Sequence, residues 1–193
     1  MKNLLLEDLP ETIEIDGKSY AVNSDFKSAL RTILAFEDGD LTPQEKYLVL
    51  VENLYKETPP DIEAAISKGL EFLNGGSSEE GEDGGESLRL YSFSQDGNLI
   101  FAAFRQTHGI DLSVENLHWW KFIALFLDLG AETSFVNLIS LRKRLKEGTA
   151  SKEEVKYYRQ NKEVVDVPEV DTRTLDEKIA EQRFYKLLGK GKK

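Results

Sequence analysis

Residues 112–145 read LSVENLHWWKFIALFLDLGAETSFVNLISLRKRL and contain both tryptophans of the chain and its densest apolar run. The pattern predicts a helical hairpin. Ser113 is the expected N-cap of the first helix, since its hydroxyl can accept an unpaired backbone N–H, and Gly130 is expected to end that helix in a left-handed turn. Thr133 or Ser134 then begins the second helix.

The first helix of this hairpin is apolar around most of its circumference. Two stripes lie side by side, one made of Leu117, Trp120, Ala124 and Leu127 and the other of Trp119, Phe122, Ile123 and Phe126. Only a strip around His118, Lys121 and Asp128 is polar. Such a helix must be covered on nearly all sides, by its own domain, by copies of itself or by a partner. We therefore expect Trp120, Phe122, Ile123 and Phe126 to be largely buried.

Composition predicts a soluble protein with one domain of ordinary size and an appendage. The chain has 193 residues, 40% of them apolar, and no cysteine, which excludes disulfides and thiolate metal sites and fits a reducing cytoplasm. Glu7 and Asp8 follow the first leucines too closely for a signal peptide. The apolar run Phe122–Leu127 is far shorter than the roughly 20 residues of a membrane span.

Charge is divided unevenly along the chain. Residues 1–141 contain 10 Lys/Arg and 25 Asp/Glu, whereas residues 142–193 contain 15 and 10. An acidic body repels phosphate and argues against nucleic acid as a partner. The basic end is either a solvated charged helix or a surface for an acidic protein.

The first 75 residues predict a β-hairpin followed by three helices. Asp16-Gly17 joins two alternating segments whose apolar face is Ile13, Ile15, Tyr20 and Val22. The first helix is capped within 23–25 and ends near Asp38, and the second opens with the capping box of Thr42 and Glu45 around Pro43. Asp61 caps the third helix, whose predicted core face is Ile62, Ile66, Leu70 and Leu73.

Residues 74–87 read NGGSSEEGEDGGES and contain no apolar side chain, so we expect a flexible acidic loop. A calcium site is the alternative, but the ligand order of an EF-hand is missing. After the loop, 88–93 is predicted to be extended. A helix then starts at 96–98 and stops near Gly109, with Ile100, Phe101, Ala103 and Phe104 on its core side.

The end of the chain predicts two further helices. Ser151 and Glu154 form a capping box that opens one of them, 161–174 is expected to be irregular, and 175–188 forms an amphipathic helix through Leu175, Ile179, Phe184 and Leu187 or Leu188. The predicted fold is therefore mainly α. It consists of a helical domain at 1–160 with an N-terminal β-hairpin, and a C-terminal extension at 161–193 with a terminal amphipathic helix.

No pattern in the chain predicts an enzyme, a metal site or a cofactor site. His108 and His118 with Asp111 between them could hold a metal or act as a base, but no H-E-x-x-H spacing is present. The glycine pairs lack the strand and helix of a dinucleotide loop, and no serine lies in a nucleophile elbow. The Trp119-Trp120 pair could stack sugars or bases, but core or interface is favoured.

Several short motifs of the chain resemble those of a family of bacteriophage proteins, which is named after gene product fifteen of phages that infect Gram-positive hosts. They are Leu9-Pro10-Glu11, Ile15-Asp16-Gly17 with Tyr20, Asp25-Phe26, Ala102-Ala103-Phe104, Gly109-Ile110-Asp111-Leu112 and, above all, Leu117-His118-Trp119-Trp120-Lys121-Phe122. The resemblance covers most of 1–160. The acidic loop and the end beyond Asn161 carry none of it.

The resemblance implies a non-enzymatic tail assembly chaperone in the host bacterial cytoplasm. Such a protein coats the tape measure protein and leaves before the virion is mature; the alternative is a structural virion component such as a tail connector or tail-tip subunit. The tail tube protein and a homo-oligomer are further expected partners, whereas nucleic acid and membrane are not. The candidate partner-binding residues are Trp119, Trp120, Phe122, Phe126, Leu175, Ile179, Phe184 and Leu188.

Overall fold

The computed structural model describes residues 4–76 and 89–168, and in these ranges the fold is mainly α, as predicted. In the described residues, one β-hairpin precedes eight helices. The elements are β1 Thr12–Ile15, β2 Lys18–Ala21, α1 Phe26–Glu37, α2 Pro43–Leu54, α3 Ile62–Leu73, α4 Phe93–His108, α5 Trp119–Leu127, α6 Ser134–Lys146, α7 Lys152–Gln160 and α8 Lys162–Val165. Most of the predicted acidic loop and the whole predicted helix at 175–188 lie outside the described residues.

The N-terminal hairpin has the predicted turn. Asp16 and Gly17 have φ angles of 51° and 75°, the positive values that a type I′ turn requires at both central positions. Strand β1 pairs antiparallel with β2, and Ile13 lies opposite Tyr20. The predicted apolar face is buried, and β1 packs against α3. The hairpin is thus held by helices, as a two-stranded ribbon needs to be.

Helix starts follow the predicted caps at five positions, with Asp25 as the cap among the three candidates at 23–25 and Thr133 as the cap in place of Ser134. The side chains of Asp25, Thr42, Asp61, Thr133 and Ser151 each accept a hydrogen bond from a backbone N–H three residues later. Both predicted capping boxes are complete, and Pro43 is the first residue of α2. These contacts form within one turn, so local sequence suffices to predict them.

The predicted core face of α3 is correct in part, since Ile66, Leu70 and Leu73 pack half-buried against the core, but the helix is rotated so that other residues are fully buried. The buried residues are Ala65, Gly69 and Phe72, whereas Ile62 is exposed. Gly69 is the reason, because a Cβ at that position would lie 2.6 Å from Leu50 Cδ2 of α2. The missing side chain lets α2 approach closely, and the apolar stripe that includes Ile62 lies at the margin of this contact.

Helix α4 begins at Phe93, three to five residues earlier than predicted. Ser92 is its N-cap, so Asp96 and Gly97 lie inside the helix. Ile100, Ala103 and Phe104 are buried as predicted, but Phe101 is exposed. Gly109 ends the helix with a φ of 69°. The early start has a local cause, because the Ser92 hydroxyl accepts the backbone N–H of Gln95. It places Asp96 within the helix, where the carboxylate pairs with Arg142 of α6.

The predicted helical hairpin is wrong in its first half. Helix α5 starts at Trp119 with His118 as its N-cap, and Ser113 instead donates its hydroxyl to Asp111. Phe26 N donates to Leu117 O, and Trp119 N donates to Ser24 O. This pairing holds the residues before α5 in an extended conformation.

The end of α5 also differs from the prediction. The helix stops at Leu127 with Asp128 as its C-cap, and Gly130 does not adopt the left-handed conformation. Helix α5 packs mainly on α1 and α4, while α6 packs mainly on α4, so α5 and α6 are not the principal partners of each other. Leu127, expected in an apolar stripe, is 73% exposed. Near the chain end, the short helix α8 replaces part of the segment predicted to be irregular.

Candidate partner-binding groove

Both histidines have structural partners. His108 Nε2 donates to Leu125 O at 2.9 Å, and His118 Nε2 donates to Pro10 O at 3.0 Å. His118 Nδ1 accepts the backbone N–H of Trp120, which makes the imidazole a helix cap. Within 4–76 and 89–168, no group of His, Asp and Glu side chains has the arrangement of a metal site.

The two tryptophans bind the last turn of α3. Trp119 Nε1 donates to Leu73 O at 2.9 Å, and Trp120 Nε1 donates to Phe72 O at 2.8 Å. The carbonyl groups in the last turn of a helix have no N–H partner within that helix, so the two indole N–H groups donate hydrogen bonds to them. Each tryptophan is only 3% exposed.

Phe122 is the centre of the aromatic core. Its ring centroid lies 4.8 Å from Phe104, 5.1 Å from Phe26 and 5.4 Å from Trp119, in stacked geometry, and the residue is 1% exposed. For the Trp119-Trp120 pair, the sequence allows stacking on sugars or bases, an interface or the core, and in the structure both residues lie in the core. Trp119, Trp120 and Phe122 are therefore not available to a partner in this fold, and their selection as partner-binding candidates requires correction.

Phe126, the fourth candidate on α5, is half-buried and lines an apolar groove. The groove has a volume of about 630 Å³ and lies between α1, the segment 89–93, α5 and α6. Its aromatic floor consists of Tyr91, Phe93, Phe126 and Phe135, and its aliphatic walls include Ile33, Val136 and Ile139. The exposed Leu127 lies at its edge.

The four rings of the floor contact one another. The centroid of Tyr91 lies 5.2 Å from Phe126 and 5.5 Å from Phe93, and Phe126 lies 5.5 Å from Phe135. Burial raises the pKa of Tyr91, and the nearby charge of Glu37 raises it further, so the ring is neutral at physiological pH. Packed rings present a large apolar surface at a small cost in side-chain entropy.

A rigid polar edge borders the groove. Glu37, the last residue of α1, accepts hydrogen bonds from Ser92 Oγ at 2.7 Å and from the backbone N–H groups of Phe93 and Ser94 at 3.0 Å. Its carboxylate thus caps the N-terminus of α4, where a negative charge is stabilising. Arg89 Nη2 lies 2.9 Å from Glu37 Oε1, so both charges of the edge are paired.

Sequence reasoning found one residue of the floor and missed the other three. Tyr91 and Phe93 lie more than 30 positions before Phe126, and Phe135 lies on the next helix, α6. No local pattern indicates that the four rings meet. The alternation of Tyr91 and Phe93 within a segment predicted to be extended was the one available signal. Leu175, Ile179, Phe184 and Leu188 lie outside the described residues, so their role stays a prediction.

A family model described as "Bacteriophage Gp15 protein" matches residues 5–167. The chain belongs to this family. The resemblance seen in the LHWWKF motif is thereby confirmed, and Gp15 membership makes the protein phage-encoded and a phage structural or morphogenesis protein. The groove lies wholly inside the Gp15 match, whereas 168–193 lies outside it.

Neither a comparison with curated proteins nor one with solved structures found a match. None of the helices in the described ranges combines the length and apolar character that crossing a bilayer requires.

Proposed function

We propose that this Gp15-family protein is a non-enzymatic tail assembly chaperone. It binds apolar helices of the tape measure protein in the host cytoplasm and keeps them in solution until the tail tube protein assembles around them. The observation that carries the proposal is the open aromatic groove beside Phe126, on a domain whose other aromatic residues of α5 are internal.

The size and chemistry of the groove suit one face of a helix. Its volume of about 630 Å³ falls in the range of about 300–1,000 Å³ that binding pockets occupy. Amphipathic helices bind such grooves by inserting apolar side chains from successive turns. A tape measure chain is expected to be long and helical with an apolar face, so many copies of this protein would be needed along it.

Burial of apolar surface dominates this binding mode. Glu37 and Arg89 at the polar edge are already paired with each other, so they contribute little net attraction for a charged partner. Raising the salt concentration from low to moderate therefore leaves binding intact, whereas attraction through the basic end of the chain would weaken by screening.

The test is co-expression of the tape measure protein with this protein, followed by solubility and pull-down measurements. Two matched variants assign the binding to the groove. Leu127→Glu puts a charge at the groove edge, and Val114→Glu puts one at a site outside it; the parent residues are 73% and 77% exposed. We expect Leu127→Glu to lose the complex and Val114→Glu to retain it. An equally insoluble partner with and without this protein, and no co-purification at any salt concentration, would refute the chaperone function.

Mass spectrometry of purified virions separates the chaperone from a structural component. A chaperone leaves the tail during assembly, so its peptides are absent from mature particles. Retention at a constant number of copies per particle would instead identify a tail connector or tail-tip subunit.

A further inference from the structure

The described part of the chain ends at the edge of the groove. Pro168 O accepts a hydrogen bond from Arg89 Nη1 at 3.2 Å, and Arg89 also lines the groove and pairs with Glu37. Residues 169–193 therefore start beside the groove and not on the far side of the domain.

Buried and polar contacts hold this exit point in place. Arg142 donates to Val164 O at 3.0 Å and to Val165 O at 2.7 Å, and the side chain of Val165 is buried. The amide nitrogen Nε2 of Gln95, which has two N–H donors, lies 2.9–3.2 Å from the carbonyl oxygens of Glu163, Val164 and Asp166. The direction in which the chain leaves α8 is thus set by α4 and α6, two of the helices nearest the groove.

Two segments outside the described ranges adjoin Arg89, and only one of them has apolar side chains that could fill the groove. Residues 77–88 precede Arg89 directly, but Leu88 is their one apolar residue beside five carboxylates. Residues 169–193 contain Phe184, Leu187 and Leu188, whose spacing of three and four places them on one face of the predicted helix. Their net charge of +2 also suits the acidic body of the chain.

We propose that the C-terminal segment of this protein docks in the groove of its own chain through Phe184, Leu187 and Leu188. Six residues, 169–174, separate Pro168 from the start of the predicted helix at Leu175, and an extended chain covers about 3.3 Å per residue. The connection is therefore long enough to lay the helix across the groove. Docking within one chain also benefits from an effective concentration on the order of millimolar.

Thiol labelling of the full-length protein tests this arrangement. The chain has no cysteine, so one introduced thiol gives an unambiguous signal. Leu127→Cys reports on the groove edge and Val114→Cys on a surface outside the groove, since both parent residues are exposed in the described fold. We expect Leu127→Cys to react about tenfold more slowly than Val114→Cys, which corresponds to a docked population of about 90%.

Two variants with the same change in net charge identify the docking residues. Phe184→Glu combined with Leu188→Glu removes the apolar anchor. Gln182→Glu combined with Lys186→Gln alters the opposite face of the predicted helix. We expect Phe184→Glu/Leu188→Glu to raise the labelling rate at position 127 to that at position 114. We expect Gln182→Glu/Lys186→Gln to leave labelling at position 127 slow.

Three results would overturn the proposal. The first is an equally fast reaction at both positions in the unaltered background. The second is protection of position 127 that persists in the Phe184→Glu/Leu188→Glu variant, and the third is protection that grows with protein concentration, because a second copy would then be the occupant. Protection that is independent of concentration and lost in that variant supports docking within one chain.

The labelling experiment measures docking in the isolated protein, whereas the chaperone function is tested by co-expression with the tape measure protein. A failure of one proposal can therefore be distinguished from a failure of the other. A regulatory consequence rests on the proposed function: the docked segment covers the groove until a tape measure helix displaces it. In that case Phe184→Glu/Leu188→Glu binds the tape measure protein about tenfold more tightly than the unaltered chain.

Discussion

Arg142 and Asp96 form an ion pair in the interior of the domain, with each side chain only 2% exposed. Arg142 Nη1 lies 2.6 Å from Asp96 Oδ2, and Arg142 Nη2 lies 3.0 Å from Asp96 Oδ1. The guanidinium also donates to the carbonyl groups of Leu90, Val164 and Val165. One side chain of α6 thus joins α4, the segment before α4 and the segment that leads to the chain end.

Replacing Arg142 with Met should be strongly destabilising. The change leaves the Asp96 carboxylate without its charged partner and removes the hydrogen bonds from the guanidinium to the carbonyl groups of Leu90, Val164 and Val165. Breaking a buried pair in this way costs about 3–5 kcal/mol. Urea unfolding gives the free energy. The control is Lys143→Met at an exposed neighbouring position, for which we expect a change within about 0.5 kcal/mol. A loss below about 1 kcal/mol for Arg142→Met would contradict the role assigned to the pair.

Trp120→Ala should lower the free energy of unfolding by about 3–5 kcal/mol, because it leaves a cavity in the core and removes the donor to Phe72 O. Trp120→Phe keeps much of the volume and loses the hydrogen bond, for which we expect about 1–3 kcal/mol. Val114→Ala, at an exposed position outside the groove, is the control. Similar losses for the variants at 120 and 114 would show that Trp120 is not a core residue.

Gly76→Ala should be more destabilising than Gly109→Ala. Both glycines have positive φ angles, 79° and 69°, so each substitution carries backbone strain of about 1–2 kcal/mol. Only at Gly76 would the new Cβ also meet a neighbour, Trp120 Cη2 at 2.8 Å. The difference between the two variants in thermal or urea unfolding measures this contact, and equal losses would mean that the indole moves aside freely.

Tyr55 should make stability depend on pH in the alkaline range. Burial raises its pKa to about 12, and its hydroxyl donates to Ala65 O at 2.8 Å. The folded pKa lies above the unfolded value of about 10, so this contribution is fully present below pH 10 and is lost between pH 10 and 12. Unfolding free energies across that range should fall less steeply for Tyr55→Phe than for Tyr157→Phe, which changes an exposed ring. Parallel slopes would refute the assignment.

Residues 77–87 should be dispensable for folding. They contain five carboxylates and no apolar side chain, and loop closure depends only weakly on loop length. Gly75 and Gly76 must stay, because their N–H groups bond the last turn of α3. Replacement of 77–87 by a short Gly-Ser linker should leave the melting temperature nearly unchanged. Calcium-dependent stabilisation of the original chain alone would indicate a metal site in the segment.

The sequence alone determined the features that depend on neighbours within a few residues. The turn at Asp16-Gly17 and the caps at Asp25, Thr42 and Ser151 could be predicted because each bond joins groups no more than one turn apart. The mainly α class followed from apolar periodicity, and the family followed from a short motif around Trp119 and Trp120.

Only the tertiary structure decided which faces are covered and where the groove lies. Periodicity shows that a helix has an apolar face, but the neighbour selects the residues that are buried, as Leu50 does at Gly69 of α3. The start of α5 depends on hydrogen bonds to Ser24 and Phe26, more than 90 positions earlier. The groove brings Phe126 together with Tyr91 and Phe135, which come from separate elements. Such contacts depend on how the elements pack against one another, and a local sequence pattern does not predict that packing.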